Sequence, residues 1–158
     1  MTPHAILCCI GLGLAIIQAL VHATIIKRGA MNKETKKAWT ELRILIIGVT
    51  AVGLAYGTHD IRSCVIGAAA SVFVFAAAFP ILLNLRMGWH PFYLGSTSAT
   101  DIRTIMWVSG RDEFWIRRNH QSEYRNNTFY KEGVHQAGAV SFAAYVLITV
   151  ILWIIASH

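Results

Sequence analysis

The chain has 158 residues, 55% of them hydrophobic and only 14% charged, against roughly 25% charged in an ordinary soluble domain. That balance argues against a conventional soluble protein. The net charge of +6 would suggest nucleic acid in a soluble protein, but here the basic residues border apolar runs, so no nucleic-acid partner is expected.

Residues 5–26 form the first uncharged apolar run, followed at once by Lys27 and Arg28. A bilayer core about 30 Å thick needs about 20 such residues for one helical crossing, so this run is long enough to span. Met1-Thr2-Pro3-His4 carries no Lys or Arg, which together with the length of the run predicts a retained helix rather than a secretory signal. Gly11, Ala15, Ala19 and Ala23 recur every four residues. Such spacing puts four small side chains on one face, where another helix backbone can come close.

A basic stretch follows, with Lys33, Lys36, Lys37 and Trp39 suited to contact with anionic lipid. The second run, residues 42–57, is the shortest and holds Arg43 near its start. It spans only if Arg43 snorkels to the interface and the helix begins earlier, near Trp39. Gly53 and Gly57 repeat the small-residue device, as do Gly67 and Ser71 in the third run, residues 64–85, where Pro80 should bend the helix. Cys64 and the Cys8/Cys9 pair come at similar depth, as a disulfide would require.

The long segment 86–136 is where any soluble chemistry must lie. Ile102, Ile105 and Met106 recur at helical spacing after a possible cap at Ser98 or Thr100, predicting a short amphipathic helix over 100–108 that stops at Ser109-Gly110. A second short helix over 111–118 would bring Phe114 and Trp115 to the membrane surface beside Trp89 and Trp107. Residues 120–132 are polar and read as loop. The last apolar run is 137–156.

Sidedness follows from the basic residues, which are retained in the cytoplasm. Thirteen of the 14 Lys and Arg fall in 27–43 and 86–136, and only Arg62 falls in the 58–63 connection. The expected fold is therefore all-α: one polytopic membrane domain with four transmembrane helices, termini outside, loops 27–43 and 86–136 cytoplasmic, and short interfacial helices in the longer loop.

No catalytic constellation stands out. His120-x-x-Glu123 and Glu132-x-x-His135 each place a carboxylate and an imidazole on one helical face, part of a metal-ligand set of the di-iron kind, although Gly133 interrupts the second pair. A haem between two helices needs histidines at matching depth, and His22 has none. No Asp, Glu, Lys or Arg lies in the centre of a run, which weighs against an ion-coupled transporter. Gln18, Thr50 and Tyr145, the polar side chains at mid-depth, are expected to bond across helices.

The leading expectation is a non-catalytic membrane protein that acts through helix or lipid contacts, as a subunit or accessory of a membrane assembly. Its partners would be the bilayer and either a second copy or another membrane protein. The alternatives are a membrane enzyme with a metal on His120, Glu123, Glu132 and His135, and an oligomeric pore or uncharged-solute carrier.

Overall fold

The computed structural model describes residues 1–29, 32–94, 99–119 and 128–158, and the regular structure among them is all helical. Six helices follow in order: α1 (Pro3–Lys27), α2 (Lys33–Thr58), α3 (Ile61–Met87), α4 (Ala99–Ser109), α5 (Glu113–Asn119) and α6 (Thr128–Ser157). Four of them are long and apolar enough to cross a membrane: α1, α2 from Glu34, α3, and α6 from Gly133.

Local chemistry sets the ends. α1 opens on Pro3, whose missing N–H costs nothing in a first turn, and closes at Gly29, with φ of 69°. Asn32 caps α2 by accepting from the Thr35 N–H at 2.7 Å. His59 ends α2 in the left-handed region, φ 56°, and the next residue, Asp60, already caps α3 by accepting from the Ser63 N–H at 3.0 Å. Two residues thus reverse the chain. The Ser63 hydroxyl and N–H together hold the Asp60 carboxyl below the usual carboxylate range.

Every long helix extends beyond its apolar run. α2 begins at Lys33 rather than near Trp39, because its polar first turns are capped and need no lipid. α3 continues through Pro80 to Met87. The polar stretch read as loop is partly helical, since α6 already starts at Thr128; residues 120–127 lie outside the described residues, as do the expected caps at Ser98 and, for its side chain, Thr100. The three thiols are free: Cys8 half-buried, Cys9 exposed and Cys64 buried.

The tightest seam joins α1 to α3. A Cβ added at Gly11 would stand 2.5 Å from the Ser71 carbonyl oxygen, and one at Gly67 would stand 2.6 Å from the His4 Cα. Leu7, Ala15, Ala19, Ala23, Cys64 and Ala70 are buried along this seam. α6 packs on α3 at its other side, while α2 leans on both α1 and α3 with Ile47 as its one buried hydrophobic residue.

Beyond α3 the chain forms a cap. Asn84, buried, donates from its amide to the carbonyls of Pro91 at 2.9 Å and Tyr93 at 2.8 Å, folding the 88–94 turn back on the helix. The Phe92 carbonyl then lies so close over α6 that a side chain at Gly138 would strike it. Leu94, Ile102, Ile105, Ile116, Val134 and Ala137 close a small apolar core between this turn, α4, α5 and α6. The Ile102/Ile105 stripe is thus the face of α4 that turns inward.

Candidate functional site

The most unusual grouping of side chains lies where α1, α2 and α3 meet near the basic end of the bundle, the end that bears Lys27 and Lys36. Measured from the helix ends near the 58–60 turn at 1.5 Å per residue, Gln18, Arg43 and Phe75 all fall about 22 Å down, and His22, Trp39 and Phe79 about 28 Å down. Each layer takes one residue from each helix.

In the first layer the Arg43 guanidinium sits over the Phe75 ring, 3.9 Å from its centroid, a cation–π contact. Phe75 stacks in turn on Phe79 at 5.1 Å. In the second layer the His22 ring meets Phe79 edge-on at 5.3 Å and Trp39 at 5.9 Å. Gln18 links the layers, its amide nitrogen 3.3 Å from Nε2 of His22. His22 and Gln18 are buried, Arg43 and Trp39 half-buried, and Lys36 exposed.

Charge in this cluster is one-sided. Lys36 and Arg43 are the charged groups close enough to act on the His22 ring. Among the described residues Arg43 makes no hydrogen bond or ion pair. The nearby carboxylates, Glu34 and Glu41, lie about 160–180° around α2 from Arg43 at 100° per residue, and Glu41 pairs with Lys37 at 3.6 Å. A guanidinium with five donors is thus held against an aromatic face with no anion beside it among the described residues.

Gln18 and Thr50, expected to bond across helices, bond within their own: Gln18 to His22, and the Thr50 hydroxyl to the Ile46 carbonyl at 2.8 Å. Tyr145 meets Phe73 across the α3–α6 seam at 6.2 Å. His22 does find partners at its level, but they are aromatic rings rather than a second histidine.

The small residues divide. Gly11, Ala15, Ala19, Ala23, Gly67 and Ser71 face the α1–α3 seam. Gly53 and Gly57 are exposed, and with Gly48 they have nothing within 4 Å of an added Cβ. Around them Leu45, Val49, Val52 and Tyr56 are open as well, Tyr56 at 85% of its surface. α2 thus presents an apolar face of Leu45, Val49, Val52 and Tyr56, with Gly48 and Gly53 at its two edges, that no other described helix covers.

Of the aromatic residues in the cap, Trp107 and Phe114 are 78% and 73% exposed. Trp115 instead packs against the small core with the Arg111 guanidinium 4.9 Å over its ring, so the predicted Phe114/Trp115 pair is split between outside and inside. Two shallow lateral clefts lie on the surface: about 340 Å³ between α4 and α6, lined by Arg103, Thr104, Ser141 and Tyr145 as well as by Trp107, and a more apolar one of about 310 Å³ between α1 and α3 beside Arg86.

The predicted metal set falls mostly outside the described residues: His120 and Glu123 belong to 120–127, and nothing is described of the Glu132 side chain. His135 stacks face to face on His90, centroids 3.6 Å apart and planes 13° from parallel. No group of three or more metal-ligating side chains occurs among the described residues. The Lys33 side chain is likewise outside them.

Four helices long and apolar enough to cross a membrane, gathered around a compact seam, give the chain the make-up of a membrane protein by length and composition. Compared with known families, curated proteins and solved structures, the chain has no match.

Proposed function

We propose that this chain is a four-span membrane protein that acts by helix contact, as a subunit or accessory of a membrane assembly, with α2 as the docking helix. The reading includes termini outside, loops 27–43 and 86–136 in the cytoplasm, and Trp107 and Phe114 facing the interface. One observation carries it: α2 keeps the apolar face of Leu45, Val49, Val52 and Tyr56 open with Gly48 and Gly53 at its edges, while Gly11, Ala15, Ala19, Ala23, Gly67 and Ser71 lie in the α1–α3 seam.

Lipid gains little from a glycine notch, because acyl chains fill any surface equally well. A partner helix gains close backbone approach, the basis of small-residue association in membranes. The fitting occupant is therefore a transmembrane helix that is itself small-faced, from a second copy or another membrane protein.

A photo-crosslinking residue at Val49 or Val52, tested in native membranes, should trap a defined adduct that Gly53→Leu abolishes. The same probe at Ile151, on the exposed face of α6, should not. Equal labelling at both positions, or an adduct indifferent to Gly53→Leu, would overturn the docking role.

A further inference from the structure

We propose that Lys36, His22 and Arg43, with Trp39 between them, form a binding site for the phosphate of an anionic phospholipid, seated between α1 and α2 at the basic end of the bundle. This site lies on the face of α2 opposite Leu45, Val49, Val52 and Tyr56 and does not depend on that docking face.

Depth is the first argument. With a hydrocarbon core about 30 Å thick measured from the 58–60 turn, the Arg43 backbone lies about 8 Å inside the far boundary, Trp39 and His22 about 2 Å inside, and Lys36 about 3 Å beyond. The ladder Lys36, Trp39, Arg43 therefore climbs one face of α2 from the headgroup layer into the chains, and a phospholipid has its phosphate at that boundary. Trp39 occupies the level that indole rings favour in membranes.

Chemistry is the second. Arg43 carries a fixed charge within a spanning helix, where a lone cation is costly, and the aromatic face of Phe75 offsets only part of that cost. Its planar fork matches two phosphate oxygens, and Lys36 adds a point charge at the rim. Glu34 and Glu41, the carboxylates of this helix end, lie on the far side of α2, so among the described residues no carboxylate competes for the cations. α2 fits loosely on α1 and α3, with Ile47 alone buried among its hydrophobic residues.

The test uses the full chain in mild detergent, with phosphatidylglycerol or phosphatidylcholine of identical acyl chains added and retained lipid counted by native mass spectrometry. Wild type should keep one phosphatidylglycerol per chain at least about fivefold more readily than phosphatidylcholine, the preference one basic contact supplies. R43Q should lose that preference and K37Q should keep it.

Brominated phosphatidylglycerol should quench Trp39, read as the difference between wild type and W39F, a measurement that needs no change at Arg43. Equal retention of both lipids, a preference surviving in R43Q, or unquenched Trp39 would each overturn the site. Displacement of the lipid by 10 mM inorganic phosphate, on the order of cellular phosphate, would assign it to a small free anion instead and overturn the lipid reading.

Discussion

The α1–α3 seam allows one substitution to be worked through in numbers. In Gly11→Ala the new methyl would stand 2.5 Å from the Ser71 carbonyl oxygen and 3.1 Å from the Ser71 Cα, whereas ordinary van der Waals contact begins at 3.4 Å. The two helices must therefore part locally by about 0.9 Å, in a seam whose neighbours Leu7, Ala15 and Ala70 are themselves buried. Overpacking of this kind costs about 1–3 kcal/mol. Gly13, two residues on, has nothing within 4 Å of an added Cβ, so Gly13→Ala carries only the change in helix propensity, at most about 1 kcal/mol in its favour. Unfolding in bilayer-like micelles, followed by circular dichroism or steric trapping, should rank Gly11→Ala below wild type and Gly13→Ala at or above it. Because the obstructing atoms are backbone, trimming Ser71 to glycine should not rescue Gly11→Ala. Equal stability of the two alanine variants, or rescue by Ser71→Gly, would refute the geometry of the seam.

Other substitutions test other parts of the fold. Asn84→Ala removes both bonds to the 88–94 turn and leaves the Pro91 and Tyr93 carbonyls without that donor, a loss of about 1–3 kcal/mol; hydrogen exchange at 92–94 should accelerate, and an unchanged rate would deny the clamp. Asp60, its carboxyl held low by Ser63, stabilises the start of α3 fully above its free-chain value near pH 4, about 3.9, and loses that contribution as pH falls through the lower folded value. The protection factor at 63–64, exchange corrected for its intrinsic pH dependence, should therefore fall on acidification in wild type and stay flat in Asp60→Asn; parallel profiles would sink the assignment.

The four spans were legible in the sequence because twenty apolar residues are a coarse signal that packing cannot disguise. Their ends were not, since polar first turns such as 33–38 and 128–132 continue helices without contributing hydropathy. The Ile102/Ile105 stripe announced the α4 face, yet nothing local revealed that Trp115 would turn inward beneath Arg111. The Gln18/His22/Arg43 cluster escaped notice for a related reason. Arg43 reads in isolation as a charge to be snorkelled away, and His22 as a histidine without a mate. Only the register of α1 and α3, parallel to each other and antiparallel to α2, brings them to one level with Phe75 and Phe79. A depth calculation on predicted spans would have aligned them, because the tight 58–60 turn fixes that register.

The contact between Gly138 and the Phe92 carbonyl also bears on biogenesis. The α1–α3 seam and the Asn84 clamp use only residues before 95 and can close early, whereas the Phe92 carbonyl meets Gly138 only once α6 is made. Ribosomes deliver α6 last. The seat of Phe92 on α6 is therefore the last contact of the cap to close, and a bulkier residue at 138 would block it after the Asn84 clamp had already formed.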